Sequence, residues 1–271
     1  MQFNIDGHSA YAYTGGKTFD PALPTVVFVH GAQHDHSVWI LQSRYLAHHG
    51  FGVLAVDLPG HGRSAGTPLP TIDAMADWVL RVGQAAGAEH LAIVGHSMGS
   101  LIALDAAGQA PDRVSAIALC GCAYPMKVAE VLLKAARDNE PAAFDMINQW
   151  SFSGLNHRPG NPGPGFSVFN ESRRLMERQK PGVLLNDFSA CDAYAGGESR
   201  AAQARCPVLF LLGDADLMTP PKAARLLQQA LPGHRTVRLA GGGHNLMAEQ
   251  PQGVLQALLD LLRPLQGQTT G

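Results

Sequence analysis

Short apolar runs, rich in β-branched residues, alternate along this chain with stretches of helical periodicity, and that alternation constrains the fold more than any other feature. Residues 25–29 (TVVFV), 52–56, 91–94, 114–119, 207–212 and 236–239 have the length and composition of strands. Residues 37–49, 71–86, 97–109, 222–230 and 252–262 carry helical patterns between or after them. Their punctuation agrees: Thr71 caps a helix with Asp73 in its first turn, Gly50 stops one, and Pro111 closes another. Most of these strands have no polar face and must be covered on both sides. The pattern therefore predicts an α/β domain with a mostly parallel central sheet wrapped by helices on both faces.

One stretch breaks the rhythm. Residues 126–205, inserted before the strand at Pro207, read mainly as helices, which predicts a helical lid set into a core made of residues 1–125 and 206–271. Within it, residues 154–165 hold Pro159, Pro162 and Pro164 among glycines, a composition that forbids regular helix.

Charge and cysteine usage exclude several classes of function. Twenty Lys and Arg against 22 Asp and Glu, with no cationic run, argue against a nucleic-acid partner. The longest apolar runs, such as residues 114–122, fall well short of the roughly 20 residues that span a bilayer. Residues 1–16 show neither a cationic segment nor an apolar one of the secretory kind, so the chain reads as cytoplasmic. The four cysteines form no C-x-x-C pair and read as reduced thiols. A small-molecule substrate of apolar character is the expected partner, and the sequence specifies no oligomeric state.

The pattern G-x-S-x-G occurs at Gly62-Arg63-Ser64-Ala65-Gly66 and at Gly95-His96-Ser97-Met98-Gly99. A nucleophilic serine of this kind needs a sharp strand-to-helix turn, with glycines where a Cβ would clash. Ser97 has a strand before it and a helix after it, whereas Ser64 runs into Gly66-Thr67-Pro68-Leu69-Pro70, which cannot start a helix. Ser97 is thus the expected nucleophile.

A serine hydroxyl needs a histidine base, and the base needs a carboxylate to fix its tautomer. The strand at 207–212 runs into Gly213-Asp214-Ala215-Asp216, which puts Asp216 forward as the acid and leaves Asp214 as the alternative. Only His234 and His244 follow. His234 sits in a turn leading into a strand, while His244 leaves the last strand through Gly241-Gly242-Gly243, so His244 is the expected base. The oxyanion donors expected are the N–H groups of Met98 and of Ala32, with Gln33 as the alternative to Ala32. Gln33, Trp150, Phe144 and Phe188 are the expected substrate-binding side chains, and Phe166 belongs to the same apolar set.

With those residues in place, the chain resembles the α/β-hydrolase superfamily over nearly its whole length. His30-Gly31, the run from Asp57 to Ser64, Gly95 to Gly99, Gly213 to Asp216 and Gly241 to His244 match that family's landmarks in order. The resemblance implies an α/β-hydrolase fold, a helical lid at the insertion, Asp216 as the acid and no cofactor. It also makes haloalkane dehalogenase and epoxide hydrolase activity improbable, since those enzymes carry an Asp where this chain has Ser97.

The expected reaction is hydrolysis of a small or medium carboxylic ester through an acyl-enzyme. Carbon–carbon hydrolysis of ring-cleavage products, cofactor-free perhydrolysis and ligand sensing without turnover use the same constellation and stay open. His30, His34, Asp35 and His36 do not have the spacing of an H-x-H-x-D-H zinc site, so no metal is expected. His61 reads as a structural hydrogen-bonding residue, and Arg173 and Arg174 as a solvated helix face.

Overall fold

The computed structural model describes residues 1–154 and 167–267. Pro159, Pro162, Pro164 and Phe166 lie outside the described residues.

The chain begins with β1 (Gln2–Ile5) and β2 (His8–Tyr13), an antiparallel hairpin to which the sequence reading assigns no strands. Its turn is Asp6-Gly7, with φ of +52° and +80°, and an Asp-Gly pair is the chemistry such a two-residue turn favours. Phe3 and Ile5 alternate inward on one strand, Ala10 and Ala12 on the other. That pattern around Asp-Gly is the signal that marks the hairpin.

Six further strands follow in order: β3 (Thr25–Val29), β4 (Gly52–Asp57), β5 (Leu91–His96), β6 (Val114–Cys120), β7 (Val208–Gly213) and β8 (Arg235–Leu239). They make one eight-stranded sheet in the order β1-β2-β4-β3-β5-β6-β7-β8, parallel from β4 onward. Every residue of β3, β4, β5 and β7 is buried. Alternate side chains serve two cores. Val27, Val29, Ile93 and Ile117 pack beneath α2 (Ile72–Ala85) and α3 (Met98–Gln109). Val26, Phe28, Val94 and Leu211 face α1 (Ile40–Ala47) and the last helix, Pro251–Gln266. Burial on both faces is why these strands carry no polar side.

Two helix expectations are refined. The first turn of the 37–49 stretch is a 3₁₀ turn, His36–Trp39, capped by the Asp35 carboxylate, and 222–230 likewise opens with a 3₁₀ turn at Pro221–Ala224. Between β6 and β7 come α4 (Glu130–Asp138), α5 (Glu140–Ser151), α6 (Val168–Glu177), α7 (Val183–Ala193) and α8 (Gly197–Gln203). The first four share a small core of Leu132, Phe144, Ile147, Met176 and Leu184. Among the described residues no helix is long and apolar enough to cross a membrane, and all four cysteines are free thiols.

The parallel strands present their C-terminal ends together. Ser97 follows β5, Asp216 follows β7 and His244 follows β8, while the loop from His30 leaves β3 beside them. Ends of parallel strands are where open α/β sheets place ligands.

Candidate functional site

Ser97 joins β5 to α3 with φ +53° and ψ −118°, a conformation that costs a non-glycine residue about 1–3 kcal/mol. Its surroundings impose that geometry. A Cβ on Gly95 would strike the Gly99 carbonyl, and one on Gly99 would lie 2.5 Å from the Val29 carbonyl oxygen. The Ser97 N–H donates to Cys120 O at 2.9 Å, and Ser100 Oγ donates to Ser97 O at 2.6 Å. Ser64 is spent elsewhere: its hydroxyl donates to Asp57 O at 2.6 Å and accepts the Tyr11 N–H at 2.9 Å, stitching β2 to the loop after β4.

Asp216 and His244 meet in a buried pair. Asp216 Oδ2 accepts from His244 Nδ1 at 2.8 Å. Thr219 Oγ1 donates to the same carboxylate oxygen at 2.8 Å and lies 3.0 Å from His244 Nδ1. Oδ1 accepts the Met218 and Thr219 N–H groups, both at 2.8 Å. Burial pushes the Asp216 carboxyl up, but the His244 imidazole and the Thr219 donors outweigh it and hold it below the usual carboxylate range. With Nδ1–H given to the carboxylate, Nε2 is the nitrogen left to take a proton. Asp214 takes no part, since its half-exposed carboxylate pairs with Arg238 at 2.6 Å. His234 also lies elsewhere, edge-on to Phe210 with its Nδ1 on Leu231 O.

The His244 loop is fastened to both neighbours. His96, next to the elbow serine, donates from Nε2 to His244 O at 2.8 Å. Burial and the facing His244 keep the His96 imidazole neutral, its pKa well below the ordinary histidine value. On the other side the N–H groups of His244 and Asn245 donate to Ser151 O, at 2.7 and 3.1 Å, at the end of α5. Ser97 Oγ and His244 Nε2 share no hydrogen bond here; such contacts are often loose in free enzymes and tighten around substrate.

Among the described residues no intramolecular acceptor takes the N–H of Met98, which follows Ser97 at the start of α3, or that of Ala32, which lines the same cavity as Ser97. Gln33 is different. Its N–H donates to Asp187 Oδ2 at 3.0 Å.

An apolar cavity of about 150 Å³ opens on Ser97. Of the four expected substrate-binding side chains, Trp150 and Phe188 line it. Phe144 does not, because it is buried in the core shared by α4 to α7, beneath the Arg173 guanidinium 5.0 Å from its ring. Gln33 does not either: it is fully buried, and its Nε2 donates to Met176 O at 3.0 Å. Wall residues that the sequence reading missed include Met126, Leu132, Leu217 and Met218. For the last two a signal existed, since the loop that carries Asp216 off β7 must border whatever Ser97 borders. Lys127 also reaches the wall, with its ammonium hydrogen-bonded at 2.5 Å to the Asp192 carbonyl. Arg173 and Arg174 pair with Asp145 and Glu177.

The ligand atoms of Asp35, His36 and Asp57 fall within 4.8 Å of one another. Protein donors already use them: His36 N–H and Nδ1 and Arg63 N–H on Asp57, and Ser37, Arg178 and Gln179 on Asp35. The cluster is a hydrogen-bonded clasp in which each carboxylate is already met by protein donors.

Comparison with known proteins matches residues 24–251 to the model of a family described as alpha/beta hydrolase fold. A provisionally named carbamate hydrolase, RutD of Klebsiella pneumoniae, is 30% identical over 239 residues, 83% of this chain and 85% of that protein. A pimeloyl-[acyl-carrier protein] methyl ester esterase of Chromobacterium violaceum is 28% identical over 88% of this chain and 94% of that protein. Among solved structures, the enol-lactonase of Burkholderia xenovorans superposes with a TM-score of 0.84 at 23% identity, covering 97% of this chain and all of that one.

Proposed function

The chain belongs to the α/β-hydrolase family, and from that premise we propose that it is a serine hydrolase that cleaves a small or medium carboxylic ester through an acyl-enzyme. The observation that carries this reading is the buried Asp216–His244 pair set beside a strained serine on a strand-to-helix turn. Ser97 Oγ attacks the acyl carbonyl while His244 Nε2 takes its proton. The N–H groups of Ala32 and Met98 hold the oxyanion, and Asp216, steadied by Thr219, keeps the imidazole in its Nδ1–H tautomer and stabilises its charged form. His244 then returns the proton to the departing alcohol, activates water, and the acyl group leaves as a carboxylate.

Residues 126–205 serve as the lid in this reading, and its apolar wall at Trp150 and Phe188 suits an acyl or alcohol moiety of few carbons. The names of the esterase and lactonase relatives point to ester carbonyls. One observation favours a second substrate, a carbamate, attacked by the same machinery: the 30% identical relative named for carbamate hydrolysis.

The test is steady-state hydrolysis of p-nitrophenyl esters from acetate to octanoate, with a p-nitrophenyl carbamate alongside, by wild type and Ser97→Ala. The expected result is ester turnover, falling at least about a thousandfold in Ser97→Ala. Equal rates in the two proteins, or no turnover with no labelling of Ser97 by a fluorophosphonate, would overturn the reading.

A further inference from the structure

Asp187 is a fully buried carboxylate on α7, and the mechanism above does not use it. Its Oδ2 accepts two hydrogen bonds from the core: one from His61 Nε2 at 2.9 Å, the other from the main-chain N–H of Gln33 at 3.0 Å. These partners lie 126 and 154 residues away along the chain, so only the seating of α7 on the core brings them together.

His61 is buried as well, and its other ring nitrogen, Nδ1, lies 3.0 Å from Pro59 O. A carbonyl can only accept, so Nδ1 carries a proton, and the contact from Nε2 to a carboxylate makes His61 a donor on both sides. Burial opposes that charge, but the Asp187 carboxylate and the two bonds outweigh it and raise the His61 pKa. The neighbouring His30 ring, 4.9 Å away, is held neutral, because its Nε2 accepts the Leu58 N–H.

The Gln33 amide is the other end of the arrangement. Gln33 sits at φ +59°, where a non-glycine residue stays only if its neighbours hold it. The Asp187 bond holds its N–H, and the bond from Gln33 Nε2 to Met176 O holds its side chain to α6. The Gln33 amide turns about the same Cα that carries the Ala32 N–H. Swinging that amide off Asp187 would therefore disturb the donor one residue earlier.

We propose that Asp187 is a positioning residue for the oxyanion site: by accepting the Gln33 N–H it fixes the loop that aims the Ala32 N–H, so the site is complete only while α7 is seated. This rests on the serine-hydrolase reading given above. Stabilisation of the developing negative charge is then tied to the helical segment that covers the cavity, and an unseated lid leaves a serine and base with one oxyanion donor misaligned.

The test uses Asp187→Ala and Asp187→Asn, with p-nitrophenyl butyrate as substrate and phenylboronic acid as a tetrahedral-anion probe. Alanine removes the acceptor from Gln33, and asparagine keeps a carbonyl oxygen there while giving up the ion pair with His61. The expected result for Asp187→Ala is a fall in kcat of about a hundredfold, the low end for losing one oxyanion donor, with KM within about threefold. The boronate should weaken in parallel, and Asp187→Asn should recover at least about tenfold of the lost kcat. A rise in KM with kcat unchanged, unaltered boronate binding, or equal losses in both variants would overturn the proposal.

Should Asp187→Ala fail to fold, His61→Gln joins Asp187→Asn, since both break the ion pair yet leave an acceptor for the Gln33 N–H. A lower Tm with kcat within about tenfold of wild type in both supports the proposal, and a loss beyond a hundredfold in both overturns it. A wild type that neither turns over esters nor reacts with a fluorophosphonate at Ser97 overturns the hydrolase reading and this inference together. An active wild type matched by Asp187→Ala overturns this inference alone.

Discussion

Asp216 Oδ2 lies 2.8 Å from His244 Nδ1, whereas Asp214, two residues earlier, reaches outward to Arg238. The two acids stand in one short loop but in different surroundings, and only the buried one of the two touches the His244 imidazole. Asp216→Asn should lower kcat by about 10³ to 10⁴, the scale seen when such a carboxylate becomes an amide. Asp214→Asn should stay within about threefold, as steady-state ester hydrolysis by the two variants will show.

Ser64 belongs to the first G-x-S-x-G, residues 62–66. Because its hydroxyl links Asp57 O to the Tyr11 N–H, Ser64→Ala should cost about 1–3 kcal/mol of stability by leaving buried partners unmet. Its kcat should remain within a few-fold of wild type. Urea denaturation and kinetics on the same preparation separate the two effects.

Gly243 precedes His244 where two segments nearly touch. A Cβ there would lie 2.6 Å from Glu249 Oε2, 2.7 Å from Ser151 O and 2.7 Å from Ser153 N. Since main-chain atoms form two of these contacts, Gly243→Ala must shift the His244 loop away from the end of α5. The expected outcome is a fall in kcat of tenfold or more with a destabilisation of about 1–3 kcal/mol, read from kinetics and thermal melts.

Phe144 and Phe188 test which aromatic side chains meet substrate. Phe144→Ala empties a packed core and should cost about 3–5 kcal/mol without changing the preference among acyl lengths. Phe188→Ala enlarges the cavity and should shift that preference toward longer chains. Identical chain-length profiles for the two variants would contradict this assignment.

His30 supplies a pH dependence of known sign. Its Nε2 accepts the Leu58 N–H, its Nδ1 lies 2.8 Å from Gly31 O, and burial lowers its pKa to about 4. Unfolded, the imidazole takes a proton below about 6.5, while folded it does not until about 4. The unfolded state therefore binds more protons between those values, and stability contributed by His30 is present above pH 6.5 and lost as pH falls toward 4. Urea midpoints at pH 7.5, 6 and 5 should fall more steeply in wild type than in His30→Gln.

The sequence by itself determined the elements of this protein and the chain order of its candidate site residues. Strand and helix signals act over a few residues, and so do the steric demands that Gly95 and Gly99 meet around Ser97. The Asp6-Gly7 hairpin was equally local, and its turn chemistry was there to be read. Tertiary structure decided what depends on segments far apart in the chain: that Gln33 gives its N–H to Asp187 while no acceptor among the described residues takes that of Ala32, that His61 pairs across 126 residues, and that Phe188 faces the cavity while Phe144 turns into the core. The physical reason is that helical periodicity says how residues repeat along one element, and not which neighbour each face meets. Orientation at the site is set by how α5, α6 and α7 pack on the strand ends, and that packing is a property of the assembled chain.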